Sequence, residues 1–291
     1  GNIAEFVISN APASLAVWDV TYPLEPVRVD AAASGNQMKV RLEADMIRQL
    51  VAFDGSSFPR PELLGQVANQ NLHALPAADM IILSHPDFLE QAQRLAQLHN
   101  DLENMSVILV TPQEVYYEFS SGKQDVSALR DFIRMIYSRN VDKLRYVLLF
   151  GDGSFDPKSR MSPNSNYIPT WQTQNSLQPT ASYACDDFFV LMDDTEGAGA
   201  NGTPDIGIGR FPVRTPAQAK IIVDKIEHYT TNGLSLPGPA GVNQIPALAD
   251  WRNMLCFVAD DQDGNLHLNQ AEELASFVQS RHRRYNIDKI Y

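Results

Sequence analysis

The stretch LRYVLLFGDGSFD, Leu144 to Asp156, decides how this chain folds. Tyr146 to Phe150 form an unbroken apolar and aromatic run that ends on a loop rich in glycine and aspartate. A strand with no alternation of polar and apolar residues has both faces to cover, as in a parallel sheet held between helices. In open α/β sheets, the loop at the carboxyl end of a strand is where ligands bind. This loop is not a phosphate cradle. It lacks the third glycine of GxGxxG and any Gly-Lys-Ser/Thr, and Asp152 and Asp156 repel phosphate. Its plainest role is a tight turn that requires positive φ at Gly151 or Gly153.

The same rhythm extends outward from this strand. Upstream, DMIILSH (Asp79 to His85) is nearly continuous in apolar residues. Pro86 and Asp87 then open a helix carrying Phe88, Leu89, Ala92, Leu95 and Ala96. The strand SVILV leads to TPQE, where Thr111 caps, Pro112 takes the first helical position and Glu114 completes a capping box. A helix follows with Val126, Leu129, Ile133 and Ile136 on one stripe. Downstream, after a polar stretch from Lys158 to Pro179, DFFVLMDD and DIGIGRFPV read as strands around the turn TEGAGANGTP. TPAQ starts a helix through Ile222, Ile226 and Tyr229. A loop with Pro237 and Pro239 then precedes the strand MLCFVA, a helix from Asn269 through Leu274, Ala275 and Val278, and the strand IDKIY.

The first 75 residues differ. EFVISN, SLAVWDV and QMKVRLEA are short β-rich runs divided by Asn, Pro and Gly. VWDVTYPLEPVRV, with its prolines, suits an exposed edge. The organisation expected is a β-rich segment over 1–75, a first α/β subdomain over 76–160 and a second over 161–291. A parallel sheet normally continues past a last strand such as IDKIY, so the second subdomain is expected to be incomplete at Tyr291.

The formal net charge is -12, from 23 Lys+Arg against 35 Asp+Glu, which argues against nucleic acid and anionic membrane surfaces as partners. No apolar run approaches the ~18 residues of a membrane span. Two cysteines, Cys185 and Cys256, make no disulfide framework. None of the six histidines stands in HxxxH spacing. DDQDGNLHLNQ imitates a calcium loop. With Gly264 sixth, however, the first position is Ala259 and the twelfth Gln270, so the entry carboxylate and the bidentate Glu are both missing.

YACDDFFVLMDD, Tyr183 to Asp194, concentrates the chemistry-bearing residues. Asp186 and Asp187 directly follow Cys185, and adjacent negative charge is the opposite of the electropositive setting that a nucleophilic cysteine needs. Cys256 sits within an apolar strand, where a small buried hydrophobe is expected. On a strand, Asp186 and Asp187 face opposite ways, so one of them can enter a cleft to bind a basic side chain or help hold a metal.

Taken in order, VWDVTYPLEP, ANQNLHAL, DMIILSHPDFL, EFSSGKQDVSALRDFIRMIY, YVLLFGDGSFDPK, YACDDFFVLMDD and IGIGRFPVRTPAQAKIIVDKIEHY resemble the gingipain-like C25 cysteine peptidases. Within that family they are most similar to the surface sortases of the type IX secretion system. The resemblance implies a caspase-like α/β fold: parallel sheets with flanking helices in two adjoining subdomains, preceded by β-rich structure. It implies export to the outer membrane and cell surface. There, C-terminal signal domains are removed from secreted cargo, and the cargo is attached to a lipopolysaccharide acceptor beside other type IX secretion components.

Catalysis in that family uses a histidine followed by glycine and a cysteine after a later apolar strand. No histidine here precedes glycine, so both catalytic residues are expected beyond Tyr291, and the segment itself is expected to be inactive. Arginine-cleaving members carry a Ser-Asp step whose aspartate lies at the base of the primary specificity pocket. Cys185-Asp186 matches that step, with Cys in place of Ser, and makes Asp186 the implied substrate-binding residue. No cofactor is expected, and the only ion for which the acidic loops leave room is a structural calcium. Two rival readings are a non-catalytic component that binds cargo or partners with the same fold, and a metal-assisted hydrolase built on Asp152, Asp156 and Asp186.

Overall fold

The computed structural model describes residues 2–63, 65–174, 177–178, 180–197, 202–231 and 250–291. The chain divides into two compact units, Gly1–Ala68 and Asn69–Tyr291. The loop expected around Pro237 and Pro239, and residues 198–201 of the turn expected at Thr195 to Pro204, lie outside the described residues.

The first unit holds six strands: β1 (Ile3–Ser9), β2 (Ala16–Asp19), β3 (Val27–Val29), β4 (Ala31–Ser34), β5 (Gln37–Glu43) and β6 (Leu50–Phe53). They form two antiparallel three-stranded sheets, ordered β1-β5-β4 and β3-β2-β6. Met38 and Val40, two residues apart on β5, turn the same way and are buried, as the two-residue period of a strand demands. One expectation is corrected: β2 is a central strand, bonded to both β3 and β6. Pro23 and Pro26 stand in the turn between β2 and β3, where a missing N–H costs the ladder nothing.

The second unit is built on β7 (Met80–Ser84), α1 (Leu89–Glu103), β8 (Val107–Val110), α2 (Pro112–Phe119), α3 (Val126–Arg139), β9 (Tyr146–Phe150), β10 (Trp171–Gln172), β11 (Ala184–Cys185), β12 (Gly207–Phe211) and α4 (Pro216–Thr230). It continues with β13 (Met254–Val258), α5 (Leu266–Arg281) and β14 (Asn286–Ile290). The main sheet is parallel throughout, ordered β12-β9-β7-β8. It therefore includes a strand from beyond residue 160. β13 and β14 pair in parallel as a sheet of two, joined through α5.

Both faces of the main sheet are covered. Ile81, Leu83, Val147 and Leu149 pack against Leu129, Phe132, Ile133 and Ile136 of α3 and Val115 and Tyr116 of α2. On the opposite face, Met80, Ile82, Leu148 and Phe150 meet Ala92 and Leu95 of α1 and Ala219 and Val223 of α4. Each large apolar side chain buried in this way contributes about 1.5–3 kcal/mol. Arg94 of α1 ties the helices of that second face together, donating to Asp224 at 2.5 Å and to Glu227 at 3.0 Å on α4.

The local start signals act as their chemistry requires. Thr111 accepts from the Glu114 amide, and Glu114 reaches back to the Thr111 amide at 2.7 Å. Two helices follow rather than one, because Ser121 and Gly122 turn the chain at positive φ between α2 and α3. The strand expected at DFFVLMDD is corrected to a 3-10 turn over Asp187–Val190. Phe188, Phe189 and Val190 are all buried there, and packing on α3 is satisfied without a ladder.

Candidate substrate cleft

A cleft of about 410 Å³ opens at the carboxyl ends of β9 and β12. One wall is the loop after β9, with Gly153, Ser154 and Phe155; the other is Thr170, Gln172 and Tyr183 around the β10–β11 ladder; and Asp186 and Arg210 form part of its lining. Phe155 stands 75% exposed and Tyr183 is likewise exposed, which leaves two aromatic rings for a ligand.

The loop is shaped by its own residues. Gly151 has φ +154, and a Cβ there would lie 2.9 Å from Tyr167 Cβ. Gly153 does not take positive φ, so the demand falls on Gly151 alone. The Gly151 and Asp152 amides donate to Phe211 and Val213 carbonyls at 3.1 and 3.0 Å. Asp156 is buried and accepts from the Met161 amide at 2.7 Å. That amide, together with Arg160 beside it, holds its carboxyl below the usual carboxylate range. Gln172 closes the far side by donating to the Ser154 carbonyl at 2.8 Å.

Of the four aspartates in YACDDFFVLMDD, only Asp186 lines the cleft; Asp187, Asp193 and Asp194 are exposed. The guanidinium facing Asp186 belongs to the chain itself. Arg210 Nε and Nη2 donate to its two carboxylate oxygens, each at 2.7 Å. Arg210 Nη1 also donates to the carbonyls of Gly151 and Ile168 at 2.9 and 2.8 Å. The second acid of the cleft is paired too: Arg214 Nε lies 2.6 Å from Asp152. Sequence reasoning missed Arg210 and Arg214. A signal existed in GIGRF, where a lone arginine interrupts an apolar strand and needs a carboxylate nearby.

The other candidates lie apart. Asp152, Asp156 and Asp186 do not converge as a metal site; each is held by its own arginine. Among the described residues, the only group placed to hold an ion is Asp260, Asp263 and His267, all exposed. There Asp263 already accepts from the Leu266 and His267 amides at the start of α5. Cys185 is half-buried opposite Trp171, whereas Cys256, expected as a buried hydrophobe, is instead exposed on β13. Among the described residues neither thiol bonds to a histidine; His73, His99 and His267 each pair with a carboxylate instead.

A parallel α/β sheet with a cleft at its strand ends defines a class of fold rather than an activity. The model of peptidase family C25 matches residues 73–291. The chain belongs to peptidase family C25, a family of cysteine peptidases. It is similar to dimeric latent PorU from Porphyromonas gingivalis, with 33% identity over 78% of this chain and a TM-score of 0.64. The chain spans 23% of that PorU chain. It also matches the complex of Porphyromonas gingivalis RgpB pro- and mature domains at 16% identity, covering 72% of this chain and 41% of that one, with a TM-score of 0.47. The Arg-specific gingipain R (RGPB) matches at 14% identity over 76% of this chain and 43% of its own, also with a TM-score of 0.47. No curated protein matches the chain.

Proposed function

We propose that this chain is the scaffold and one substrate wall of a C25-type sortase of the type IX secretion system. The observation that carries this reading is the cleft at the ends of β9 and β12, in a chain 33% identical to PorU over 78% of its length. The whole protein removes C-terminal signal domains from secreted cargo and transfers the cargo to a lipopolysaccharide acceptor at the outer-membrane surface, beside other type IX secretion components.

The chemistry is acyl transfer. A thiolate attacks the cargo carbonyl and a histidine passes the proton to the leaving amine. An amine or hydroxyl of the acceptor then resolves the thioester. Cysteine and histidine are supplied by chain beyond Tyr291, and Cys185 and Cys256 take no part. This segment contributes the cleft, with Asp186 as a substrate-facing wall residue. No cofactor is required. No helix among the described residues is long and apolar enough to cross a membrane.

The test is to incubate the full-length protein, and residues 1–291 separately, with cargo bearing its C-terminal signal domain, and to follow cleavage by mass spectrometry with and without a thiol-directed inhibitor. Inhibitor-sensitive cleavage by the full-length protein alone is expected. Binding of cargo with cleavage by neither would instead make the protein a non-catalytic cargo-binding component.

A further inference from the structure

We propose that Arg210 determines the specificity of the cleft: by occupying Asp186 it excludes cationic side chains and leaves a charge-neutral subsite for small or uncharged polar residues. This rests on the reading of the cleft as the substrate site.

Three observations carry it. First, both oxygens of Asp186 are taken by two parallel bonds of 2.7 Å, the fork-to-fork geometry that makes arginine–carboxylate pairs strong. Second, Arg210 cannot swing aside at little cost. Its remaining nitrogen bonds the Gly151 and Ile168 carbonyls, and its side chain is only 14% exposed. An incoming guanidinium would have to break this set and then lie against a second positive charge. Third, Asp152, the other acid of the lining, is held by Arg214 at 2.6 Å, so no unpaired carboxylate faces the cleft. What remains on the walls is neutral: Ser154, Thr170, Gln172, Thr173 and Ser182, with the rings of Phe155 and Tyr183. Hydroxyl and amide groups select hydrogen-bonding side chains of no net charge.

The experiment titrates two N-acetylated, C-amidated peptides, identical except for a central Ser or Arg, into the full chain. Binding is read from NMR shifts of the Ser154, Thr173 and Tyr183 amides. The Ser peptide is expected to bind roughly tenfold or more tightly than the Arg peptide, since juxtaposed like charges disfavour the latter. Arg210→Met exposes Asp186 and reverses the preference; Arg210→Lys keeps the positive charge and keeps cations out. A merely structural arginine would weaken both peptides alike, without reversal. Equal or tighter binding of the Arg peptide by the unaltered chain overturns the proposal, as does a folded Arg210→Met variant that gains nothing for the cation. Should Arg210→Met fail to fold, the unaltered chain and Arg210→Lys decide. Binding of neither peptide overturns the substrate-site reading and this inference with it.

Discussion

Arg210 Nε and Nη2 each stand 2.7 Å from an oxygen of Asp186, across 24 residues of sequence. The pair joins the end of β12 to the turn that follows β11, and through the Gly151 and Ile168 carbonyls it fixes the loop after β9 as well. One side chain thus sets both the charge and the shape of the cleft.

Removing that side chain has a stability signature as well as a specificity one. Arg210→Met leaves a half-buried carboxylate unpaired and two carbonyls without their donor. The expected loss is about 3 kcal/mol, a fall in Tm of roughly 6–12 °C by calorimetry. A shift under about 1 °C would show that the pair contributes little to holding the three segments together.

Glu118 supplies a pH dependence. Its partial burial alone would raise its pKa, but the Leu72 amide, the Gln70 side chain and His73 all bond it and carry it down to about 2. A carboxyl depressed from 4.5 stabilises the fold above 4.5, and that contribution is lost as pH falls from 4.5 towards 2. Glu118→Gln is expected to flatten the stability–pH curve in that window and to lower stability at pH 7. Denaturant titrations at several pH values measure both effects.

Tyr116 predicts an opposite sign. Its hydroxyl is buried on the α2 side of the sheet with no hydrogen-bond partner among the described residues, and burial pushes its pKa up. Tyr116→Phe removes an unsatisfied group and keeps the ring, so stability is expected to stay level or rise by about 1 kcal/mol. A loss of that size in urea unfolding would point to a partner for the hydroxyl.

Gly151 is the backbone counterpart. Gly151→Ala puts a methyl 2.9 Å from Tyr167 Cβ and 3.0 Å from Ile168 Cγ1, at a φ of +154 that side chains avoid. The expected cost is about 1–3 kcal/mol. The same change displaces the Ile168 carbonyl that Arg210 uses, so peptide binding weakens as well. Unchanged stability and binding would show that the turn tolerates a side chain.

The sheet was legible because its chemistry is local. Ile81 and Ile82 are neighbours buried on opposite faces, and such a run has no other stable home than between two helical layers. Thr111 and Glu114 announced α2 because a capping box is a contact three residues long. What was not legible was non-local or ambiguous in period. Phe188, Phe189 and Val190 read equally well as a buried strand or a packed turn, since so short an apolar run fits either repeat. In VWDVTYPLEPVRV the prolines drew attention to an edge, but they govern the turn, and β2 took a partner on each side. For Asp186, spacing gave a carboxylate and the resemblance gave a cleft. Neither could place Arg210 opposite it, because only the parallel pairing of β12 with β9 brings that arginine to the loop.

The location of the nucleophile is tested by labelling the full-length protein with a peptide-based thiol-directed inhibitor and mapping the modified cysteine by mass spectrometry. A label beyond Tyr291 that abolishes cargo cleavage is expected, with Cys185 and Cys256 unmodified. A label on Cys185 that tracks the loss of cleavage would contradict this expectation.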